Sequence, residues 1–153
     1  MRGMRLSRLT GRRRLVSTVT LGVLAVSQAV VGGWALAAPG WFFAAFPAAG
    51  HAWVAVLPPY NEHLVRDVGA LSCALVIVLA VAALTANRLL IRTAATACLV
   101  YAVPHTLFHG LHLDELPDGD AVAQTLGFVA QLVLVGLALV AAAGGAEGGH
   151  GRP

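Results

Sequence analysis

Four long apolar stretches decide what this chain can become. They run over about Leu15–Ala38, Glu62–Leu84, Leu89–Leu111 and Ala121–Ala143. Each is roughly 23 residues, enough for an α-helix to cross a ~30 Å hydrocarbon core. The chain is 58% hydrophobic and 11% charged, whereas a soluble domain carries about 25% charged residues. A water-soluble fold is excluded on that ground. The expected architecture is an all-α integral membrane protein, a four-transmembrane-helix bundle over 15–143. A basic segment, 1–14, precedes it and a flexible Gly-rich tail, 144–153, follows it. With 153 residues, one bundle uses the whole length.

The positive charge could point to nucleic acid, but its placement argues for membrane topology. Arg2, Arg5, Arg8, Arg12, Arg13 and Arg14 all precede the first apolar run, and Arg88, in the short turn Thr85-Ala86-Asn87-Arg88, forms a second basic cluster with Arg92. Arginines on one side of successive spans mark that side as cytoplasmic. Four spans with this bias put both termini in the cytoplasm and two loops outside, in a bacterial inner membrane. No nucleic-acid partner is expected. The first run also imitates a signal peptide, with Ala35-Leu36-Ala37 as a cleavage site and Arg12-Arg13-Arg14 as a twin-arginine signal. Its length exceeds the usual 7–15 residues of such a signal. Ser27, Gln28, Gly32 and Gly33 within it suit helix packing, so it is read as an uncleaved span. Cys73 and Cys98 sit in separate runs at different depths, which disfavours a disulfide.

The connection from Pro39 to Asn61 is crowded with Trp41, Phe42, Phe43, Phe46, Trp53 and Tyr60. Aromatic rings concentrate at membrane–water interfaces. Trp41–Phe46 is expected to form a short interfacial helix ended by Pro47, either capping the outer mouth of the bundle or anchoring it. Asn61 is a good N-cap for the second span. Glu62 with Arg66, and His63 with Asp67, are each four residues apart and share a helix face.

The third run closes on PHTLFHGLHLD, from Pro104 to Asp114. His105, His109 and His112 fall within about 60° of one another on a helix. Pro104 is expected to kink the span one turn earlier. With the assigned topology, these histidines, His51, His63, Glu62 and Asp67 all fall on the outer half, and Tyr101 lies one turn deeper. His150, in the tail, has no assigned role. Ionisable groups in a span are costly and face the bundle interior or a wet cavity. The expected site is a polar cluster of His63, Asp67, His105, His109 and His112, supported by Glu62, Arg66, Tyr101 and His51.

Three chemistries fit that cluster. Imidazoles are common ligands of zinc, copper and iron, and His105 with His109 have the spacing by which two helix residues hold one ion. Facing histidines such as His63 and His109 can serve as axial ligands of haem. In this redox-linked reading the implied partners are the lipid bilayer, a second copy of the chain or a membrane oxidoreductase. The second reading is a proton-handling pocket for a lipid-soluble molecule such as a quinone, with Tyr101, Trp53 and the Phe cluster lining an apolar slot. The third is a structural polar network in a membrane scaffold or subunit. No motif for nucleophilic catalysis is present, and the catalytic residues, if any, are not legible.

Leu15 to Ala143 resembles the small bacterial four-helix membrane proteins of the DoxX-like kind. The likeness rests on size, four spans, the aromatic connection Trp41-Phe42-Phe43…Phe46-Pro47, the Tyr60-Asn61-Glu62-His63…Arg66-Asp67 start of the second span, and Pro104-His105…His109…His112 closing the third. It implies the architecture. The quinone-linked sulfur oxidation associated with a few such proteins has no motif in this chain that would carry it over.

Overall fold

A computed structural model describes residues 7–143. Arg2 and Arg5, the tail 144–153 and His150 lie outside the described residues. The chain forms α1 (Gly11–Ala37), α2 (Pro39–Ala45), α3 (Glu62–Thr85), α4 (Arg88–Gly110), a 3-10 turn at Leu113–Glu115 and α5 (Asp118–Ala143). The helix α1 starts four residues before the apolar boundary, so Arg12, Arg13 and Arg14 form its first turn. Arginine is a good helix former, and nothing at that boundary stops the helix.

Local chemistry sets the other boundaries. Asn61 Oδ1 accepts from the Leu64 N–H at 3.1 Å and starts α3. The helix ends on Ala86, whose φ of 50° places it in the left-handed region. Asn87 Oδ1 then accepts from the N–H groups of Leu89 (2.9 Å) and Leu90 (3.2 Å) and starts α4. The short helix α2 starts at Pro39, two residues before the expected Trp41, because proline suits a first helical turn, and Pro47 follows its end as expected.

The four long helices run alternately up and down. Packing of α1 on α3 and α5, and of α4 on α5 and α3, closes a ring. At the end carrying the N-terminal segment, Leu9 N–H donates to Ala86 O (2.9 Å) and Arg88 N–H donates to Ser7 O (3.1 Å). Leu9 is buried there. Arg92 Nη2 reaches Ala142 O at 3.1 Å, tying α4 to the end of α5. The core at this half is small and dry: Leu21, Leu24, Leu79, Ile91, Cys98 and Val135, filled in by alanines.

The crossing of α1 on α3 is the tightest contact. A Cβ on Gly32 would lie 2.8 Å from Ser72 Cβ, and one on Gly69 would lie 2.7 Å from Leu36 N. Glycine at both positions lets the two backbones approach, a common device between membrane helices. Gly33 has open space around it and plays no such part.

Three helices, α1, α3 and α5, are long and apolar enough to cross a membrane. Their outward faces carry exposed apolar side chains such as Leu15, Val26, Leu71, Leu84, Leu126 and Val140. The expected fourth span, α4, is nearly as long at 23 residues, but Arg88, Arg92, Pro104, His105 and His109 dilute its apolar character.

Candidate functional site

The far end of the bundle is built differently from the dry end. Here α4 carries Tyr101, His105 and His109 at four-residue intervals, which places them on one face. Their rings form a ladder. Tyr101 stacks on His105 with centroids 5.0 Å apart, and His105 meets His109 edge-on at 4.7 Å. Phe128 of α5 wedges against both imidazoles, 5.3 Å from each. The ladder is held by ring packing from α5 as well as by its own helix.

This ladder lines a chamber of about 480 Å³. Gln124, Phe128 and Gln131 of α5 form one wall; they are four and three residues apart and share a face. Val65 and Val68 of α3, with Gln28 and Val31 of α1, form the opposite wall. The roof is aromatic. The short α2 folds back over the end of α1, where Trp34 packs on Trp41 (4.8 Å) and on Phe42 (5.8 Å). Phe42 continues to Phe46 (4.8 Å), and Phe46 meets Trp53 edge-on at 6.0 Å. Phe42, Phe46 and Trp53 all face the chamber. His51 Nδ1 bonds Asp120 Oδ1 at 2.7 Å and pins the roof to the start of α5.

Two lining amides are nearly fully buried, Gln28 at 5% and Gln124 at 3% exposure. Among the described residues the Oε1 of each, and the Trp53 indole N–H, has no hydrogen-bond partner. Buried polar groups are almost always paired, and an orphan calls for an explanation. A largely apolar cavity with a few converging polar groups is the common form of a small-molecule site.

The structure brings together only part of the expected cluster. His105, His109 and Tyr101 line the chamber. His63 and Asp67 do pair, at 3.0 Å, but their side chains are 86% and 59% exposed and face away from it. The reason is register. Leu64, Val65 and Val68 are the α3 residues that reach the chamber, and His63 and Asp67 lie on another face. His112 also leaves the stripe, because α4 ends at Gly110. Its Nδ1 bonds Phe108 O at 2.7 Å and its ring stacks on Phe108. His51 serves the roof.

Glu62 and Arg66 form the expected pair at 2.8 Å, and Arg66 does something the sequence does not reveal. Its Nη1 donates to Leu36 O at 2.6 Å, so α3 supplies a cation to the carbonyl end of α1, where the helix dipole favours it. As a metal set, His63, Asp67, His105, His109 and His112 are therefore not assembled. Among the described residues no three His, Cys, Asp or Glu side chains group closely enough to hold an ion. Protein metal sites commonly use three or four such ligands.

Sequence reasoning passed over Phe128 and gave Gln28, Gln124 and Gln131 no role in the site. The signal was present, since Gln124 and Gln131 stand seven residues apart in an otherwise apolar run, one face of a helix. Comparison of the chain with family models, curated proteins and solved structures finds no match.

Proposed function

We propose that this protein is a four-span membrane protein that binds a lipid-soluble ring compound with carbonyl or hydroxyl groups, of the quinone class, in the chamber between α1, α3, α4 and α5. The observation that carries this reading is the histidine ladder, His105 and His109, in one apolar chamber with the orphaned amides of Gln28 and Gln124. A neutral imidazole offers one N–H donor and one lone pair, and an amide offers both kinds of group. Together they can donate to a ring carbonyl or accept from a ring hydroxyl. The same imidazoles can exchange a proton with such a hydroxyl. Phe42, Phe46, Trp53 and Phe128 supply flat faces against which a ring packs.

The reading takes α4 as a span, because it packs between two apolar helices and exposes Val100, Val103 and Leu107. It keeps the architecture that the DoxX-like resemblance implies, in a bacterial inner membrane. The arginines at the ends of α1 and α4 orient both termini to the cytoplasm.

The test is a titration of detergent-purified, untagged protein with a decyl-benzoquinone, followed by quenching of the intrinsic tryptophan fluorescence, to which Trp53 in the chamber wall contributes, with elemental analysis of the same sample. One saturable site is expected, weakened about tenfold or more by His109→Leu. The absence of saturable quenching, or a stoichiometric transition metal lost on substituting His105 and His109, would replace this reading.

A further inference from the structure

A second cavity adjoins the chamber and has a different character. It measures about 450 Å³ and shares Gln28, Val68 and Tyr101 with the chamber as a common wall. From there it follows α3 through Val68, Leu71, Leu75 and Val78. Those four residues are three, four and three apart, one stripe of a helix, and extend over about 15 Å along its axis. No charged residue lines this groove. The charges of α3, Glu62, His63, Arg66 and Asp67, all lie in its first two turns, beyond the groove's end. Leu71 and Val78 are 71% and 41% exposed, so the groove opens sideways onto the surface that faces hydrocarbon in the proposed membrane setting.

Resting on the reading of the chamber as a ring-binding site, we propose that the guest carries one long hydrocarbon tail, of prenyl or acyl type. The tail leaves the chamber past Gln28, Val68 and Tyr101 and lies in the groove along α3, with the seam between α3 and α4 as its route to and from the bilayer. The two compartments divide the labour that such a molecule needs. The chamber holds hydrogen-bonding side chains and aromatic faces for a head, and the groove, beyond the shared wall and apart from Ser72, holds aliphatic side chains for a chain. The groove runs along the helix axis, the direction in which bilayer chains also lie. A guest with a second polar end would leave that end unpaired among Leu71, Leu75 and Val78, which the cost of burying polar groups forbids.

The experiment compares a tail-less dimethoxybenzoquinone with its decyl homologue, using quenching of the intrinsic tryptophan fluorescence of the full chain at fixed detergent and correcting for partition into the micelle. The wild type is expected to hold the decyl compound about tenfold or more tightly than the bare head, since each buried methylene adds to affinity. Ala74→Phe, at an exposed groove position, is expected to erase that advantage and leave the affinity for the head within about twofold. Val78→Phe, further along the groove, serves as the second variant should the first fail to fold. Equal affinities in the wild type, or an advantage that survives both substitutions, would overturn the tail groove and leave the chamber reading standing. Failure of both compounds to bind the wild type would overturn the chamber reading, and the groove inference with it.

Discussion

If the chamber takes the proposed guest, single residues at the far end trade stability against binding. The amide of Gln124 is buried with its Oε1 unpaired, so it is a cost to the folded protein in the absence of a guest. Replacing such a group by an apolar one of similar shape is neutral to stabilising. Gln124→Leu is therefore expected to keep or raise the melting temperature in detergent, by up to about 1 kcal/mol of stability, while quinone affinity falls. A variant that melts well below the wild type would show that the amide is paired and structural. Arg66 should behave in the opposite way. Its contacts with Glu62 and Leu36 O join α3 to the end of α1. Arg66→Ala is expected to cost about 1 kcal/mol, given the partial exposure of the pair, with little change in ligand affinity at the chamber.

Among the elements, the crossing of α1 and α3 carries the sharpest expectation. Gly69 has Leu36 backbone atoms within 2.7 Å of where a Cβ would stand. Gly69→Leu forces the helices apart and is expected to cost about 1–3 kcal/mol, read as a lowered melting temperature. Gly33→Ala, inside α1 but in open space, is the control and should be neutral to stabilising by up to about 1 kcal/mol. The elements themselves were largely legible in the sequence. Run length marks α3 and α4 to within a residue or two, Asn61 marks the start of α3 and Pro47 the end of α2; the cap Asn87 and the start of α2 at Pro39 come from the structure. The site was legible in part. Helical spacing shows which residues share a face of their own helix, so His105 and His109 emerge from the sequence as one stripe, which the structure extends to Tyr101. Spacing does not show which neighbour that face meets. The stripe meets Phe128 and Gln124 of α5, and the charged face of α3 turns away. His112 is misplaced for a related reason, because the stripe assumes that the helix continues and Gly110 ends it.

At the scale of the whole molecule, the proposed topology makes a direct prediction. In a background lacking Cys73 and Cys98, Ala49→Cys and Asp114→Cys should both react with an impermeant maleimide from one side of the membrane, and Arg13→Cys from the other. The label at 114 tests whether α4 crosses with the rest. If it reacts from the same side as the label at 13, the four-span arrangement fails. The roof offers a second global test. His51 and Asp120 tie the long connection to α5 across 69 residues of chain. His51→Ala is expected to speed amide exchange over residues 48–57 at least severalfold while α1 and α3 stay protected, because that segment has few other polar ties.

The two-residue turn between α3 and α4 has a mechanical consequence. Leu9 and Ser7 bond to it on both sides, so one end of this helix pair is riveted, while at the other end the two helices stand apart around the chamber. The chamber-side ends are held as well, α3 by Arg66 and Gly69 against Leu36 of α1 and α4 by Phe128 of α5. The pair is thus fastened at both ends, by backbone bonds at the turn and by side-chain contacts at the chamber, and the width of the space between the two helices follows from both fastenings.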